Sequence, residues 1–255
     1  MAKLEKEKID KSVKEFYSDV ADGNETIKID SVKLSESIGY SKEDLENIPE
    51  EANLGLGCGN PLIDGKPMEG ETVLDLGCGK GMDVFNTAKK VGSSGLVIGV
   101  DMTPQMIETA RKIAKGRKFT NTDFRLGEIE HLPVADNSID LVISNCVINL
   151  STDKKAVYSE IYRVLKPGGR ISIADIVHIK EIPDSVLNNP KMYGTCVAGA
   201  GSCEYRENLL KEIGFKNIEV RLKPASKEYV KKWGIDEIPL EEYISSSITV
   251  AYKGK

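Results

Sequence analysis

The chain has 255 residues, of which 40% are hydrophobic and 29% are charged, a composition typical of a globular protein of one or two domains with a sizeable core. The formal charge is −5, from 35 basic and 40 acidic side chains, which argues against a broad binding surface for nucleic acid or anionic membranes. The only histidines are His131 and His178, so a multi-histidine metal site is excluded.

The cysteines are the more informative residues. Five occur, at positions 58, 78, 146, 196 and 203, and none forms a C-x-x-C pair, which disfavours a zinc ribbon or a thioredoxin-type motif. The charged N-terminus lacks the apolar stretch of a signal peptide, and no apolar segment approaches the roughly 20 residues that cross a bilayer. We therefore expect a cytoplasmic protein with reduced, free cysteines. A single free cysteine is ordinarily a small buried hydrophobe.

The predicted elements change character along the chain. Helical spacing predicts an amphipathic helix over residues 3–20, and Ser41 precedes a short helix that ends near Asn47. Strands are predicted over 72–77, 95–101, 122–127, 138–145, 170–177, 215–222 and 245–253. Helices are predicted over 82–91, 104–116, 154–165 and 204–213. This alternation indicates an α/β protein with a parallel sheet and helices on both of its faces.

Several boundaries have specific signals. Thr103 and Pro104 read as a capping hydroxyl followed by proline at the first helical position, and Gly116 reads as the C-terminal glycine of that helix. A turn is predicted at residues 166–169, before the fifth strand. Residues 180–203 read as a loop or small insertion.

A glycine-rich loop, residues 75–81 (DLGCGKG), joins the first predicted strand to the first helix of the α/β region. Glycines there let the backbone turn tightly and let a ligand approach the main chain. Asp101 ends the second strand, where a carboxylate can accept hydrogen bonds from both ribose hydroxyls of an adenosine. The third glycine is one residue too early for the dinucleotide fingerprint, and Asp75 would repel a pyrophosphate but attract a cationic amino group. These features favour S-adenosylmethionine over NAD; a plain glycine turn with a solvated aspartate is the alternative.

Further candidates follow the next two strands. Gly127, Glu128 and Ile129 come after the third strand, at the height of an adenine ring, and Asn145 and Cys146 come after the fourth. In open parallel sheets, ligands bind beyond the carboxyl ends of the strands. We therefore expect Cys146 to face the reactive end of the cofactor.

Four segments carry a family resemblance: DLGCGKG, VIGVDMTPQMI, RLGEIEHLPVADNSIDLVISNCVINL and YRVLKPGGRISIADIV. They resemble the class I S-adenosylmethionine-dependent methyltransferases and, within that class, the arsenite methyltransferases, over about residues 15–215. The first motif and LKPGG occur across many small-molecule methyltransferases, whereas NLGLGCGNP, SNCVINLS and YGTCVAGA are narrower, and each of these three contains a cysteine. The resemblance implies a Rossmann-like class I methyltransferase fold, with a mostly parallel seven-stranded sheet, helices on both faces and an antiparallel last strand.

The resemblance also implies a domain organisation and site residues. It implies an N-terminal helical cap (1–50), an S-adenosylmethionine-binding core (51–180) and a C-terminal part (181–255) that holds an arsenic-site insertion and completes the sheet. The family binds trivalent arsenic through cysteines that correspond to Cys58, Cys146 and Cys196. The implied cofactor-binding residues are Tyr17, Asp75, Gly77, Gly79, Asp101, Met102, Gly127, Glu128, Ile129 and Asn145.

Three thiols suit this chemistry. Trivalent arsenic is soft and prefers thiolate ligands, and three of them would form a pyramid whose arsenic lone pair attacks the sulfonium methyl group. No general base is needed, so the main requirement is orientation. The implied reaction converts arsenite, or its thiol conjugates, to methylarsenicals and S-adenosylhomocysteine for arsenic detoxification. A thiol reductant such as thioredoxin or glutathione would act between turnovers, and the protein is expected to be a monomer without nucleic-acid or membrane partners.

The sequence departs from the family pattern in two places, and two other functions are compatible with it. Many family members carry a further cysteine near the N-terminus that is missing here, which gives no basis for a disulfide relay through that segment. The short chain beyond residue 222 leads us to expect no large C-terminal domain. Cys78 is expected to fill space between loop glycines, and Cys203 has no assigned role. The alternatives are a methyltransferase for another small acceptor, such as a quinone or sterol-like carbon, and a metalloid-binding protein without transfer activity.

Overall fold

The computed structural model describes residues 3–23, 30–46, 48–183, 187, 194–223, 230 and 239–255. The helices are α1 (Lys3–Asp22), α2 (Ser31–Ser37), α3 (Lys42–Glu46), α4 (Leu62–Gly65), α5 (Met82–Val91), α6 (Pro104–Arg117), α7 (Lys154–Val164) and α8 (Cys203–Ile213). The strands are β1 (Thr72–Leu76), β2 (Leu96–Asp101), β3 (Thr122–Leu126), β4 (Ile139–Asn145), β5 (Leu165–His178), β6 (Lys216–Lys223) and β7 (Ile244–Tyr252). Single 3₁₀ turns cover Glu50–Ala52, Ile148–Leu150 and Leu240–Glu242. The predicted end of a helix at Asn47 lies outside the described residues.

The strands form one seven-stranded sheet in the order β3-β2-β1-β4-β5-β7-β6. The first five strands run parallel to one another, and β7 runs antiparallel to both of its neighbours. The two middle strands β1 and β4 are almost entirely buried, which explains their unbroken apolar sequences. The predicted fold class is therefore confirmed, including the antiparallel last strand.

Each face of the sheet has its own hydrophobic core, because successive side chains of a strand point to opposite faces. On β1, Val73 packs into a cluster with α5 and α6. The next residue, Leu74, packs into a second cluster with α7 and α8. Helices thus cover both faces, as the alternation of strands and helices predicts.

The helix start predicted at Thr103 and Pro104 is confirmed, with Thr103 as the N-cap residue and Pro104 at the first helical position, but three details of the predicted boundaries are wrong. Thr103 makes no capping bond to α6, because its hydroxyl and its backbone N–H both bond to the Asp101 carboxylate. Gly116 lies inside α6, and the left-handed position at the helix end is taken by Lys118 (φ 59°), whose N–H donates to carbonyls of the last turn. The turn predicted at residues 166–169 is part of β5, which begins directly after α7.

The carboxyl ends of the parallel strands are covered from two directions. Helix α1 packs against α6, and the Tyr17 hydroxyl on α1 donates to the Gly194 carbonyl oxygen (3.3 Å). Gly194 is directly followed by a turn over residues 195–199, which comes after β5 in the chain. Within the part of the chain that the structure describes, every helix is too short or too polar to cross a bilayer. The division into segments 1–50, 51–180 and 181–255 stays a prediction.

Candidate active site

A cavity of about 480 Å³ lies at the carboxyl ends of β1 to β4. Its wall is formed by residues of α1, of the loops after each of these strands, and of the segment 194–196. All ten predicted cofactor-binding residues line it: Tyr17, Asp75, Gly77, Gly79, Asp101, Met102, Gly127, Glu128, Ile129 and Asn145. The fold therefore brings these residues to one cavity, while the role of each stays a prediction.

The glycine loop after β1 needs its glycines for two reasons. Gly77 and Gly79 have φ values of 64° and 52°, which side chains other than glycine rarely adopt. A Cβ on Gly77 would also overlap the Val147 side chain. Between these glycines, Cys78 is buried under β2, where a Cβ on Gly99 would lie 2.8 Å from its sulfur. Burial raises the pKa of this thiol well above its ordinary value, so Cys78 stays a neutral thiol.

Asp101 at the end of β2 organises the loop. Its Oδ2 accepts the Gly79 N–H (2.9 Å) and its Oδ1 accepts the Thr103 N–H (2.8 Å). Burial raises its pKa, and these hydrogen bonds oppose that rise. Because a carboxylate oxygen accepts more than one hydrogen bond, Asp101 keeps capacity for ribose hydroxyls.

The carboxyl groups of Asp75 and Asp83 also line the cavity, and no sequence motif indicated Asp83. Burial raises the pKa of Asp75 well above its ordinary value, and the negative charges of Asp83 and Asp101 raise it further. Burial also raises the pKa of Asp83 to about 6, although the Tyr40 hydroxyl donates to both of its oxygens (2.7 and 2.9 Å). A cationic ligand beside these groups would relieve their mutual repulsion, so the cavity fits the amino group and sulfonium of S-adenosylmethionine.

Glu128, in the loop after β3, is hydrogen-bonded to helix α1. Lys14 on α1 donates to its carboxylate at 2.6 Å, and both side chains are about half exposed. This hydrogen bond lowers the pKa of Glu128. Because the pair faces solvent, we expect it to contribute little to stability, although it links α1 to the residue that follows the loop glycine Gly127.

Cys58 and Cys146 form a disulfide, with Cα atoms 5.4 Å apart. The expectation of five free thiols is therefore wrong for these two cysteines; Cys78, Cys196 and Cys203 are free. Asn145 explains the pairing, because its Oδ1 accepts the Cys58 N–H (2.8 Å) and its Nδ2 donates to the Gly59 carbonyl (2.7 Å). These bonds hold the Cys58 loop beside the residue that follows Asn145.

The amide of Asn145 is thereby bonded to the chain itself. Its Nδ2 also donates to the Tyr40 hydroxyl (3.0 Å), and a Cβ on Gly57 would lie 2.9 Å from that nitrogen. A positioning role for Asn145 follows from these contacts, whereas its predicted contact with the cofactor stays a prediction. Neither Tyr40 nor Asp83 was singled out from the sequence, since no local motif marks them.

Cys196 packs against Val13 of α1 and lies beside Cys146. Its Sγ donates to the Cys146 carbonyl oxygen at 2.9 Å, and both cysteines have left-handed backbone conformations, with φ 63° and 58°. Burial raises the pKa of the Cys196 thiol well above its ordinary value, and the negative charge of Asp175 raises it further, while Lys154 opposes both. Cys146 and Cys196 line the cavity, whereas Cys58 is fully buried beside Cys146.

The three predicted arsenic ligands are neighbours but do not form one cluster of sulfurs in this disulfide state. Among the described residues, the single group of three cysteine, histidine or acidic side chains with ligand atoms within 4.8 Å of one another is Cys58, Cys146 and Asp175. Asp175 is fully buried on β5. The signal that could have found it is an acidic residue inside the apolar run RISIADIV.

The sequence and the fold both match a known class of protein. The family described as "Methyltransferase domain" matches residues 67–232, and a phosphoethanolamine N-methyltransferase from Haemonchus contortus shares the fold, with a TM-score of 0.67 at 19% identity over 87% of this chain and 60% of that one. The chain thus has the class I fold of S-adenosylmethionine-dependent methyltransferases.

More similar relatives define the family. An arsenite methyltransferase from Halobacterium salinarum is 47% identical over 86% of this chain and 56% of its own length, and the human arsenite methyltransferase is 34% identical over 84% and 60%. A solved arsenic(III) S-adenosylmethionine methyltransferase from Chlamydomonas reinhardtii is 36% identical, with a TM-score of 0.64 over 88% of this chain and 73% of that one. The chain belongs to the arsenite methyltransferase family, and it spans a little over half the length of the curated relatives.

Proposed function

We propose that the protein transfers methyl groups from S-adenosylmethionine to trivalent arsenic bound by Cys58, Cys146 and Cys196. The observation that carries the proposal is the position of these cysteines. Two of them line the cavity that the predicted cofactor residues also line, and the third is bonded to one of these two. The names of the relatives supply arsenite as the substrate.

The chain's own residues would bind and orient the cofactor, which supplies an electrophilic methyl group on a sulfonium. Asp101 would accept hydrogen bonds from the ribose hydroxyls, and the glycine loop would let the cofactor approach its backbone closely. Asp75 attracts the cationic amino group. Tyr17 and Lys14 on α1 close the cavity through Gly194 and Glu128, which excludes water from the reacting groups.

The cysteines would bind arsenic by exchange, in which three thiols replace three hydroxides of arsenite and release three waters. Thiolate sulfur is the ligand type that such a soft centre prefers. The arsenic lone pair then points away from the three sulfurs and needs no base, because it carries no proton. Cys146 sits at the end of β4, so its arsenic would lie at the carboxyl edge of the sheet, beside the cofactor residues.

A thiol reductant follows from the disulfide. Cys58 and Cys146 can both bind arsenic only after two reducing equivalents convert their disulfide to two thiols. Thioredoxin or glutathione would supply them by thiol–disulfide exchange. In this proposal the protein works in the cytoplasm as a monomer, where it detoxifies arsenic.

The test is incubation of the reduced protein with S-adenosylmethionine, arsenite and a dithiol, followed by arsenic speciation. Methylarsenicals and S-adenosylhomocysteine in matching amounts are expected. Tight arsenite binding without any methylated arsenic over hours would overturn the proposal in favour of a metalloid-binding protein. X-ray absorption at the arsenic edge tests the ligands: three sulfur neighbours are expected in the reduced protein, and two or fewer would contradict the three-thiolate site.

A further inference from the structure

Asp175 lies beside the sulfurs of the proposed arsenic site. It follows Ala174 on β5, and the Ala174 carbonyl accepts the Cys146 N–H at 2.8 Å, which fixes the two backbones side by side. A carboxylate oxygen of Asp175 lies within 4.8 Å of the Sγ atoms of both Cys58 and Cys146. The side chain is fully buried, so no bulk water screens its charge from these sulfurs.

The hydrogen bonds of Asp175 fit an ionised carboxylate. Its Oδ1 accepts the Asn149 Nδ2–H (2.9 Å) and the Ile176 N–H (2.8 Å), and its Oδ2 accepts the Asn149 N–H (3.2 Å). All three partners are donors, and an ionised carboxyl group is the form that only accepts. Burial raises the pKa of Asp175, whereas these donors and the charges of Arg206 and Lys154 oppose that rise and favour the charged form.

The two nearby cations, Arg206 and Lys154, form no direct ion pair with Asp175. Within the described residues, no side-chain nitrogen of lysine, arginine or histidine lies within 4.0 Å of an Asp175 carboxylate oxygen. The guanidinium of Arg206 donates instead to the hydroxyls of Ser247 and Thr249 and to a backbone carbonyl. Lys154 donates to the Ser151 carbonyl (3.1 Å). Asp175 thus presents a fixed negative charge to the sulfur site.

Methyl transfer creates a positive charge at that site. The arsenic lone pair forms the new arsenic–carbon bond, the carbon–sulfur bond breaks with its electron pair moving to sulfur, and the positive charge passes from sulfur to arsenic. Arsenic is formally oxidised from the trivalent to the pentavalent state. A neutral trithiolate therefore becomes cationic in the transition state.

We propose that Asp175 stabilises the positive charge that develops on arsenic during methyl transfer. This inference rests on the proposed function. A fixed charge of this kind acts in the transition state more strongly than on the neutral arsenic complex, so it accelerates transfer without tightening arsenite binding. Removal of one such preorganised group typically costs on the order of 10²- to 10³-fold in rate.

Asp175→Asn tests the inference, because the amide keeps nearly the same shape and loses the charge. We expect kcat to fall about 100-fold or more, while arsenite affinity, measured by equilibrium dialysis with elemental mass spectrometry, and S-adenosylmethionine affinity, measured by calorimetry, stay within about threefold. Ser247→Ala is the matched control: it removes a hydrogen bond to the Asp175 backbone carbonyl (2.8 Å) and an acceptor of Arg206 but no charge. It should lower the melting temperature with little change in kcat.

Three results overturn the inference while the proposed function stands: a kcat of Asp175→Asn near that of the wild type, a parallel loss of arsenite affinity and kcat, or an equal loss of kcat in Ser247→Ala. If Asp175→Asn does not fold, Asp175→Ser, which keeps a hydroxyl, must show the same separation of kcat from affinity. A wild-type protein that makes no methylarsenical would instead overturn the proposed function itself.

Discussion

Cys146 occupies a backbone position that most side chains avoid. It has a φ of 58° between Asn145, which holds the Cys58 loop, and Val147, which fills the space beside Gly77. A non-glycine residue in this conformation costs of order 1–3 kcal/mol and is common at functional sites. This conformation fits the proposed role of Cys146 as an arsenic ligand.

Cys146→Ser should abolish methyl transfer to arsenite. The hydroxyl keeps nearly the same size, but oxygen is a poor ligand for a soft centre, so we expect at least a 100-fold loss of kcat/KM with S-adenosylmethionine affinity retained. Cys203→Ser is the matched control, since Cys203 is free, partly exposed and at the start of α8; its activity should match the wild type. Unchanged arsenite methylation in Cys146→Ser would refute the three-thiolate mechanism.

Asp83 gives a prediction for stability against pH. Burial raises its pKa from 3.8 to about 6, so the folded protein holds this proton more tightly than the unfolded chain. The protonated Asp83 therefore contributes to the free energy of unfolding. This contribution is complete below about pH 4 and is lost as the pH rises through 6, and it amounts to at most about 3 kcal/mol.

Asp83→Asn keeps an acceptor for the Tyr40 hydroxyl but does not titrate. The free energy of unfolding, measured by urea denaturation at pH 4, 5, 6 and 7, should decline less steeply with pH in this variant than in the wild type. The carboxyl group of Asp75, whose pKa burial also raises, leaves a residual decline. Equal slopes in both proteins would show that the Asp83 proton does not contribute.

At the scale of elements, the turn after β5 is fixed against the 3₁₀ turn Ile148–Leu150. A Cβ on Gly199 would overlap the Asn149 carbonyl oxygen, so this contact admits only glycine. It places Cys196, three residues earlier, against the end of β4. The segments that carry Cys146 and Cys196 are therefore positioned by the contact between Gly199 and the Asn149 carbonyl.

Gly199→Ala should destabilise the protein by about 1–3 kcal/mol, because the added carbon forces the two turns apart. We also expect weaker arsenite binding, since Cys196 moves with the turn. Gly116→Ala is the control: nothing lies within 4 Å of its added carbon, and alanine inside α6 should stabilise by up to about 1 kcal/mol. Thermal unfolding and dialysis measure both effects. Normal arsenite affinity in Gly199→Ala would show that the turn does not position Cys196.

At the scale of the whole molecule, the parallel strands, their helices and the glycine loop were predictable because their signals are local. Unbroken apolar runs mark β1 and β4, and the turn chemistry of residues 75–81 lies within seven positions. The antiparallel last strand followed from the family resemblance.

Contacts between distant residues could not be predicted in the same way. Asn145 bonds to Cys58 and Tyr40, which are 87 and 105 positions away, and the disulfide follows from that arrangement. An acidic residue inside the apolar run RISIADIV marks Asp175 as unusual, but its proposed role depends on the sulfurs that folding brings to it. These features depend on tertiary packing, which no pattern along the chain encodes.

The whole molecule should need reduction before it can act. With the Cys58–Cys146 disulfide intact, at most one of the three proposed ligand thiols is available, so the oxidised protein should bind no arsenite tightly. Dithiol treatment should restore binding of one arsenic per chain, as measured by elemental mass spectrometry after desalting. Equal binding before and after reduction would contradict the ligand set.

A single-turnover experiment tests whether the chain methylates the arsenic that its cysteines bind. The reduced protein is loaded with one equivalent of arsenite, freed of unbound arsenic and reductant, and mixed with S-adenosylmethionine carrying a ¹³C-labelled methyl group. We expect S-adenosylhomocysteine and ¹³C-methylated arsenic in a 1:1 ratio, up to one equivalent per chain. No methylated arsenic, with the bound arsenite recovered unchanged, would contradict it.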